Sequence, residues 1–248
     1  MAVVMFTAQK RLSKSEGNIM WNYEIHDNFL DPNDLSKITS SVSGINVEKK
    51  EIKIFQNLIS VKNRSIIRAD CLDDQLIHSL CERYYESAQE ILQELAPQKC
   101  SLVTMCQFYI VITGQDCSFP IHDDDAEKLL SGVIYIAPES NTGTFMYETN
   151  SGLGKKEVEW KVNRAFFFSR IGGQTWHSYR GDGVNPRVCL VFNLMTDNVP
   201  EVLRAEGVAY PHFSAFLYYL SKYKNRYRSA LKKIWVRLLA LFRNKPIT

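Results

Sequence analysis

The sequence predicts a mainly β chain, a jelly roll or sandwich with flanking helices, and three observations carry that prediction. Between Leu102 and Met195 the chain runs as short β-like segments: Leu102–Ile112, Lys128–Ile136, Thr144–Glu148, Glu157–Lys161, Arg164–Ser169, Thr175–Tyr179 and Arg187–Met195. Turn residues separate them at Gly114, Pro138–Gly143, Gly152–Gly154, Gly172-Gly173 and Gly181–Pro186. Short strands at this spacing point to two packed sheets rather than alternating βαβ units. The length, 248 residues, suits one large β domain with helical additions, and no internal repeat is visible.

The elements follow in order. Trp21 to Leu30 reads as a strand running into a helix start. Asp31-Pro32-Asn33-Asp34-Leu35 is a helix N-terminus, with Asp as the cap and Pro in the first turn, and the helix runs to about Val42. Residues 47–68 read as strand or loop. Leu76, Ile77, Leu80, Tyr84, Ala88, Ile91, Leu92 and Leu95 recur at helical spacing, which predicts a helix from Asp73 to Leu95 that Pro97 ends. The β region fills 101–196. Beyond Met195 the texture returns to helix as far as Phe242. One domain over 1–248 is expected, with 1–100 as N-terminal support, 101–196 as the β core and 197–248 as a basic helical extension.

Composition narrows the class. Hydrophobic residues make up 45% and charged residues 23%, a globular balance that excludes disordered, collagen-like and coiled-coil chains. There is no run of 18 apolar residues to span a bilayer. The six cysteines, Cys71, Cys81, Cys100, Cys106, Cys117 and Cys189, form no CxxC pair, and the N-terminus lacks the pattern of a secretion signal. These features predict a reduced, cytoplasmic protein whose cysteines pack as small hydrophobes.

Five histidines are present, and two sit in the β region: His122 in Phe-Pro-Ile-His-Asp-Asp and His177 in Thr-Trp-His-Ser-Tyr. In extended chain His122 and Asp124 project to the same face, so both can reach one ion. A third ligand from another strand would complete two neutral nitrogens and one carboxylate, a facial set that suits Fe(II) because three adjacent positions stay open. By itself His-x-Asp also fits a solvated acidic turn. Arg187 adds weight, since an arginine opening an apolar strand is costly unless it meets an anion. Its planar guanidinium can clamp a carboxylate through two bonds. His26, His78 and His212 lack ligand spacing. Asp123 and Asp125 read as solvated or supporting carboxylates, Lys128 as a salt-bridge partner of that cluster, and Arg180 as a weaker anion clamp in a turn.

The spacing His122-x-Asp124, then His177, then Arg187 ten residues on, resembles the Fe(II)/2-oxoglutarate-dependent oxygenase superfamily, in its prolyl-hydroxylase-like branch. Gly114-Gln115, the strand from Lys128, Gly143-Thr144-Phe145, Asn163-Arg164 and the opening Tyr23-Glu-Ile-His-Asp-Asn-Phe-Leu resemble further segments of that branch. The resemblance implies a double-stranded β-helix core over Leu102 to Met195. It implies that His122, Asp124 and His177 hold Fe(II), that 2-oxoglutarate is the cosubstrate with its far carboxylate on Arg187, and that O2 is consumed in hydroxylating an unactivated C–H bond. Many relatives have Ser at the position of Cys189, so a hydroxyl contact is missing and Tyr109 could supply one. Asn193 stands where the nucleic-acid repair branch has a second Arg, which speaks against base demethylation. Asp124 stands where related halogenases have a small residue, which speaks against halogenation. The competing class is a non-catalytic jelly-roll binding module. A small molecule, a glycan- or lipid-linked molecule and a protein side chain all remain open as substrate.

The C-terminal segment has its own character. Gly207 to Thr248 carries nine Lys and Arg and no Asp or Glu. Leu231, Ile234, Trp235, Leu238, Leu241 and Phe242 space as one helix face with basic residues between them. Two readings of 229–245 follow: an interfacial helix on an anionic membrane at its inner face, or a helix packed on the body with its basic side in water. Nucleic acid is not expected, for no aromatic-lined platform or binding motif accompanies the charge.

Overall fold

Eleven strands, all antiparallel, form two sheets in the computed structural model, which describes residues 21–224. In chain order the strands are β1 (Tyr23–His26), β2 (Ile52–Ser60), β3 (Ile66–Ala69), β4 (Met105–Thr113), β5 (Ser118–His122), β6 (Lys128–Ala137), β7 (Thr144–Tyr147), β8 (Lys156–Val158), β9 (Ala165–Phe168), β10 (Trp176–Arg180) and β11 (Arg187–Met195). The helices are α1 (Pro32–Ser41), α2 (Asp74–Leu95) and α3 (Val199–Ala205). The larger sheet has the order β1-β9-β6-β11-β4-β2-β3 and the smaller β5-β10-β7-β8. The chain divides into two compact units after Asn198. The first holds both sheets, and the second begins with α3 and continues in a helix over 211–224.

The alternation of strand residues sorts the large sheet into two faces. Tyr109, Val111 and Thr113 on β4, Cys189 and Arg187 on β11, and Ser131 and Val133 on β6 turn toward the small sheet, where they line a cavity. Their neighbours Cys106, Phe108, Ile110, Leu190, Phe192 and Leu194 are buried on the opposite face. There α2 covers the sheet, with Leu76, Ile77, Leu80, Cys81, Tyr84, Ala88, Ile91 and Leu92 buried along it. Phe108 and Phe192 stack at 4.8 Å within that layer. Asp73 caps α2 by accepting from the Leu76 amide at 2.8 Å, and Asp31 caps α1 in the same way through Asn33.

Between the sheets an aromatic cluster forms from Trp21, Tyr23, Tyr135, Trp160, Phe166 and Phe168, with Met146 and Val158 from the small sheet. The N-terminal strand is fastened by polar bonds. Asn163, in the left-handed region at φ 61° that Asn tolerates, accepts from the Leu30 amide and donates to the Leu30 carbonyl, both at 2.8 Å. Arg164 clamps Asp27 through Nε at 2.6 Å and Nη2 at 3.1 Å. Those bonds hold Asp27 at a pKa of about 2, chiefly through Arg164 and against the opposing effect of burial.

Several details differ from the sequence-based expectation. Of the stretch 47–68, read as strand or loop, β2 and most of β3 make a hairpin, and Pro97–Leu102 is a 3-10 turn that delays β4 to Met105. β5 falls where the pattern predicts a loop, because Pro120 interrupts the strand signal. β5 is the edge of its sheet, where a missing amide costs no ladder bond. All six cysteines are free thiols. Among the described residues no helix is long and apolar enough to cross a membrane. The segment 229–245 lies outside the described residues.

Candidate metal centre and anion pocket

β5 and β10 are adjacent, and their register sets His122 directly opposite His177. The two rings stand 4.3 Å apart between centroids. Asp124 follows in the loop after β5. One ligand atom from each of His122, Asp124 and His177 lies within 4.8 Å of the others. The residues brought together are the His122–Asp124 pair that the spacing selected and His177, which the resemblance implied as the third ligand.

The surroundings prepare each one. His122 Nδ1 lies 2.8 Å from the Pro120 carbonyl, and His177 Nδ1 lies 3.0 Å from the Thr175 carbonyl. A carbonyl can only accept, so both Nδ1 atoms carry the proton and both Nε2 lone pairs face outward. That is how outer-shell bonds orient metal-binding imidazoles. His177 is buried, and burial holds its pKa below the ordinary histidine value despite the nearby Asp124. Asp124 is 8% exposed. Lys128 Nζ donates to its Oδ1 at 2.6 Å and Ser131 Oγ to its Oδ2 at 2.5 Å. Burial favours the neutral acid, but the Lys128 charge, the electrostatic pull of the His177 ring and these bonds outweigh it and keep the carboxyl well below the usual carboxylate range. Arg170 Nε donates to the Asp124 backbone carbonyl at 2.8 Å, and Asp123 accepts from the Gly173 amide at 2.8 Å. The loop after β9 thus holds the loop after β5. A carboxylate has about four lone-pair sites, so two bonds leave Asp124 free to ligate an ion. The donor set, two neutral nitrogens and one ionised carboxylate, fits a divalent iron site.

A register shift in β6 brings Lys128 there. Leu194 pairs with Leu130 but Met195 pairs with Lys128, an irregularity of one residue. Simple alternation from Ser131 and Val133 would turn Lys128 to the helix side. The bulge turns it into the cavity instead.

The same cavity, about 220 Å³, reaches Arg187. Arg187 is 5% exposed and opens β11 opposite Thr113 of β4. Its guanidinium lies 3.9 Å over the Tyr179 ring, with the stacked pair Tyr135 and Trp160 at 5.3 and 5.4 Å. Nε points at Cys189 Sγ, 3.0 Å away, and Nη2 donates to Thr144 Oγ1 at 3.3 Å. No carboxylate pairs with Arg187 among the described residues. Thr113 Oγ1 is buried and lies near the Tyr179 hydroxyl without the geometry of a formed hydrogen bond. Gly143 lets Thr144 approach, because a Cβ at that glycine would sit 1.8 Å from the Val158 carbonyl oxygen. Tyr109 lines the cavity as well. Arg180 is exposed at the end of β10 and does not line it. Sequence reasoning missed Thr113, Ser131, Thr144, Arg170 and Tyr179 as parts of the site. Thr144 lay inside a segment already singled out. So did Ser131, in the strand from Lys128, and Tyr179, beside His177, while Thr113 and Arg170 carry no signal before the register is known.

No family model matches the chain, and no curated protein matches its sequence. Its fold does match solved structures. A rice dioxygenase for auxin oxidation superposes with a TM-score of 0.50 at 11% identity, over 71% of this chain and 74% of that one. The shared fold is the double-stranded β-helix. A 2OG-Fe(II) oxygenase family protein from Burkholderia pseudomallei gives 0.49 at 14% identity, over 70% of this chain and 84% of that one. A Pseudomonas putida prolyl-4-hydroxylase gives 0.48 at 12% identity, over 72% and 95%. In the double-stranded β-helix of this chain, His122 and His177 sit on the small sheet and Arg187 on the large one.

Proposed function

We propose that this chain is an Fe(II)- and 2-oxoglutarate-dependent oxygenase that hydroxylates an unactivated C–H bond. The observation that carries the reading is a buried arginine without an anion, in the same cavity as an oriented His-Asp-His set. Leaving a buried charge unpaired costs several kcal/mol, of order 3–5 when one partner of a pair is missing. A site that keeps such a charge is built for an anionic ligand. A binding module that needs no metal would have no use for both features.

The residues divide the work. His122 and His177 would offer Nε2 and Asp124 one oxygen to Fe(II), which supplies the oxidising chemistry with O2 and 2-oxoglutarate. Arg187 would take the far carboxylate of 2-oxoglutarate, with Thr113 and Thr144 as hydroxyl neighbours. Tyr109 remains a candidate for a further contact from β4. Cys189, whose thiol burial pushes to a higher pKa, contributes a neutral wall there rather than a hydroxyl. Val111, Val133, Phe168 and Val191 line the cavity with apolar surface, which excludes water and strengthens each polar contact within. Arg187 stays charged at any working pH.

The test is turnover. Purified, iron-loaded protein should release succinate from 2-oxoglutarate in an O2-dependent manner, and a panel of small molecules and glycan- or lipid-linked compounds should raise that rate where one is a substrate. Succinate release unaffected by Asp124→Ala would overturn the assignment.

A further inference from the structure

The second unit presents an apolar face that the oxygenase reading does not use. Along the helix over 211–224, Phe213, Phe216, Leu217, Leu220 and Tyr223 are 62%, 56%, 49%, 49% and 60% exposed. They recur at i, i+3, i+4, i+7 and i+10, which places them on one side of an α-helix. Tyr210, just before the helix, is 76% exposed. On the other side Ala215 is buried. Single exposed apolar residues need no explanation, but five aromatic and leucine side chains on one side of a helix do.

The charge around the stripe selects what covers it. From Gly207 to Thr248 the sequence contains no Asp or Glu and nine Lys and Arg, beginning with Lys222 and Lys224. The remaining 206 residues hold 21 basic residues and 27 acidic ones, so the net positive charge is confined to this end of the chain. Large apolar side chains beside an uninterrupted excess of positive charge suit an anionic bilayer surface. Acyl chains accept the Phe and Leu side chains, the tyrosines suit the headgroup level, and lysines meet the phosphates. Among the described residues no helix is long and apolar enough to span a membrane, and an amphipathic helix of this kind would lie in the plane of the interface. We infer that the helix over 211–224, with Tyr210 just before it, is an interfacial helix that docks the protein on an anionic lipid surface.

The experiment uses the full chain and vesicles of phosphatidylcholine, with and without phosphatidylglycerol. Sedimentation is expected with the anionic vesicles, weakening as salt is raised because the Debye length falls below about 10 Å above 0.1 M. The triple variant Phe213→Ser, Phe216→Ser, Leu220→Ser should lose at least about tenfold in vesicle affinity, since each removes apolar area from the contact. Its circular dichroism melt should be unchanged. As a second probe, Phe216→Trp should show a blue-shifted emission when anionic vesicles are added. Three outcomes would overturn the inference: no sedimentation at low salt; equal binding by parent and triple variant, which would leave the basic residues as the sole attraction; or no emission shift. Concentration-dependent self-association of the parent that the triple variant abolishes, without lipid binding, would assign the face to a second copy of the chain.

Discussion

The two ends of the cavity differ in how their charges are met, and the difference separates what the fold completes by itself from what it leaves to a ligand. At one end Asp124 is ionised and its carboxylate oxygens accept from Lys128 and Ser131. Both histidines are fixed by backbone carbonyls. The charges there are met, with Lys128 supplying a cation beside the carboxylate, and what stays open is the pair of Nε2 lone pairs. At the other end Arg187 is as deeply buried, yet it meets aromatic rings, a thiol and one hydroxyl. Aromatic faces attract a guanidinium by about 0.5–2 kcal/mol, less than the cost of burying it unpaired. The first end is internally balanced and the second is not.

Mutations at the two ends should therefore change stability in opposite directions. Asp124→Ala should abolish Fe(II) binding and turnover. It should also destabilise the metal-free protein by about 3 kcal/mol, because it strands Lys128 in a partly buried site. Arg187→Met should weaken 2-oxoglutarate binding at least about tenfold, as truncating a buried charge partner costs ~2–5 kcal/mol. The same variant should raise the melting temperature of the ligand-free protein, because an apolar side chain of similar length is often more stable there by ~1–4 kcal/mol. Calorimetric melts of both variants check this. If Arg187→Met proves as destabilising as Asp124→Ala, the contrast between the two ends is wrong.

The next effect is smaller and lies outside the ligands. Ser131→Ala removes one of the two donors that aim Asp124. It should lower Fe(II) affinity about tenfold, at the lower end of what such supporting bonds contribute, with little change in 2-oxoglutarate affinity once iron is saturating. Equal losses for both ligands would mean that the two ends are coupled.

The smallest effect is far from the cavity and serves as the reference. Asp27 is held at a pKa of about 2 against an ordinary 3.8. A depressed carboxylate contributes stability that is present above the unfolded value and is lost as pH falls through the folded one. Asp27→Asn should therefore cost about 1 kcal/mol at neutral pH, allowing for screening of a partly exposed pair. The cost should fade between pH 4 and pH 2. Chemical denaturation across that range measures it.

The sequence made the metal end more legible than the anion end, for a physical reason. His122 and His177 are two of only five histidines, Asp124 stands two residues from the first, and Arg187 announces itself by opening an apolar strand. The supporting residues are common ones. Ser131, Thr113 and Thr144 gain meaning when register places Thr113 opposite Arg187 and when the cramped turn at Gly143 carries Thr144 to the guanidinium. Tyr179 reads as an ordinary strand aromatic until the guanidinium lies over it. The helix over Asp73 to Leu95 was readable from periodicity, since it buries a regular face, and strands β6 and β11 were readable as apolar runs between turn residues, since both of their faces are buried. β5 was not, because an edge strand containing proline lacks both alternation and continuity.

Iron and 2-oxoglutarate should meet in one site if the two ends act together. The direct measurement is an anaerobic titration of iron-loaded protein with 2-oxoglutarate, followed by visible absorption. The account predicts a weak charge-transfer band that saturates with 2-oxoglutarate. It predicts no band for Asp124→Ala, and for Arg187→Met a band shifted to at least about tenfold higher concentration. A folded, iron-loaded protein that gives no band at saturating 2-oxoglutarate would contradict it.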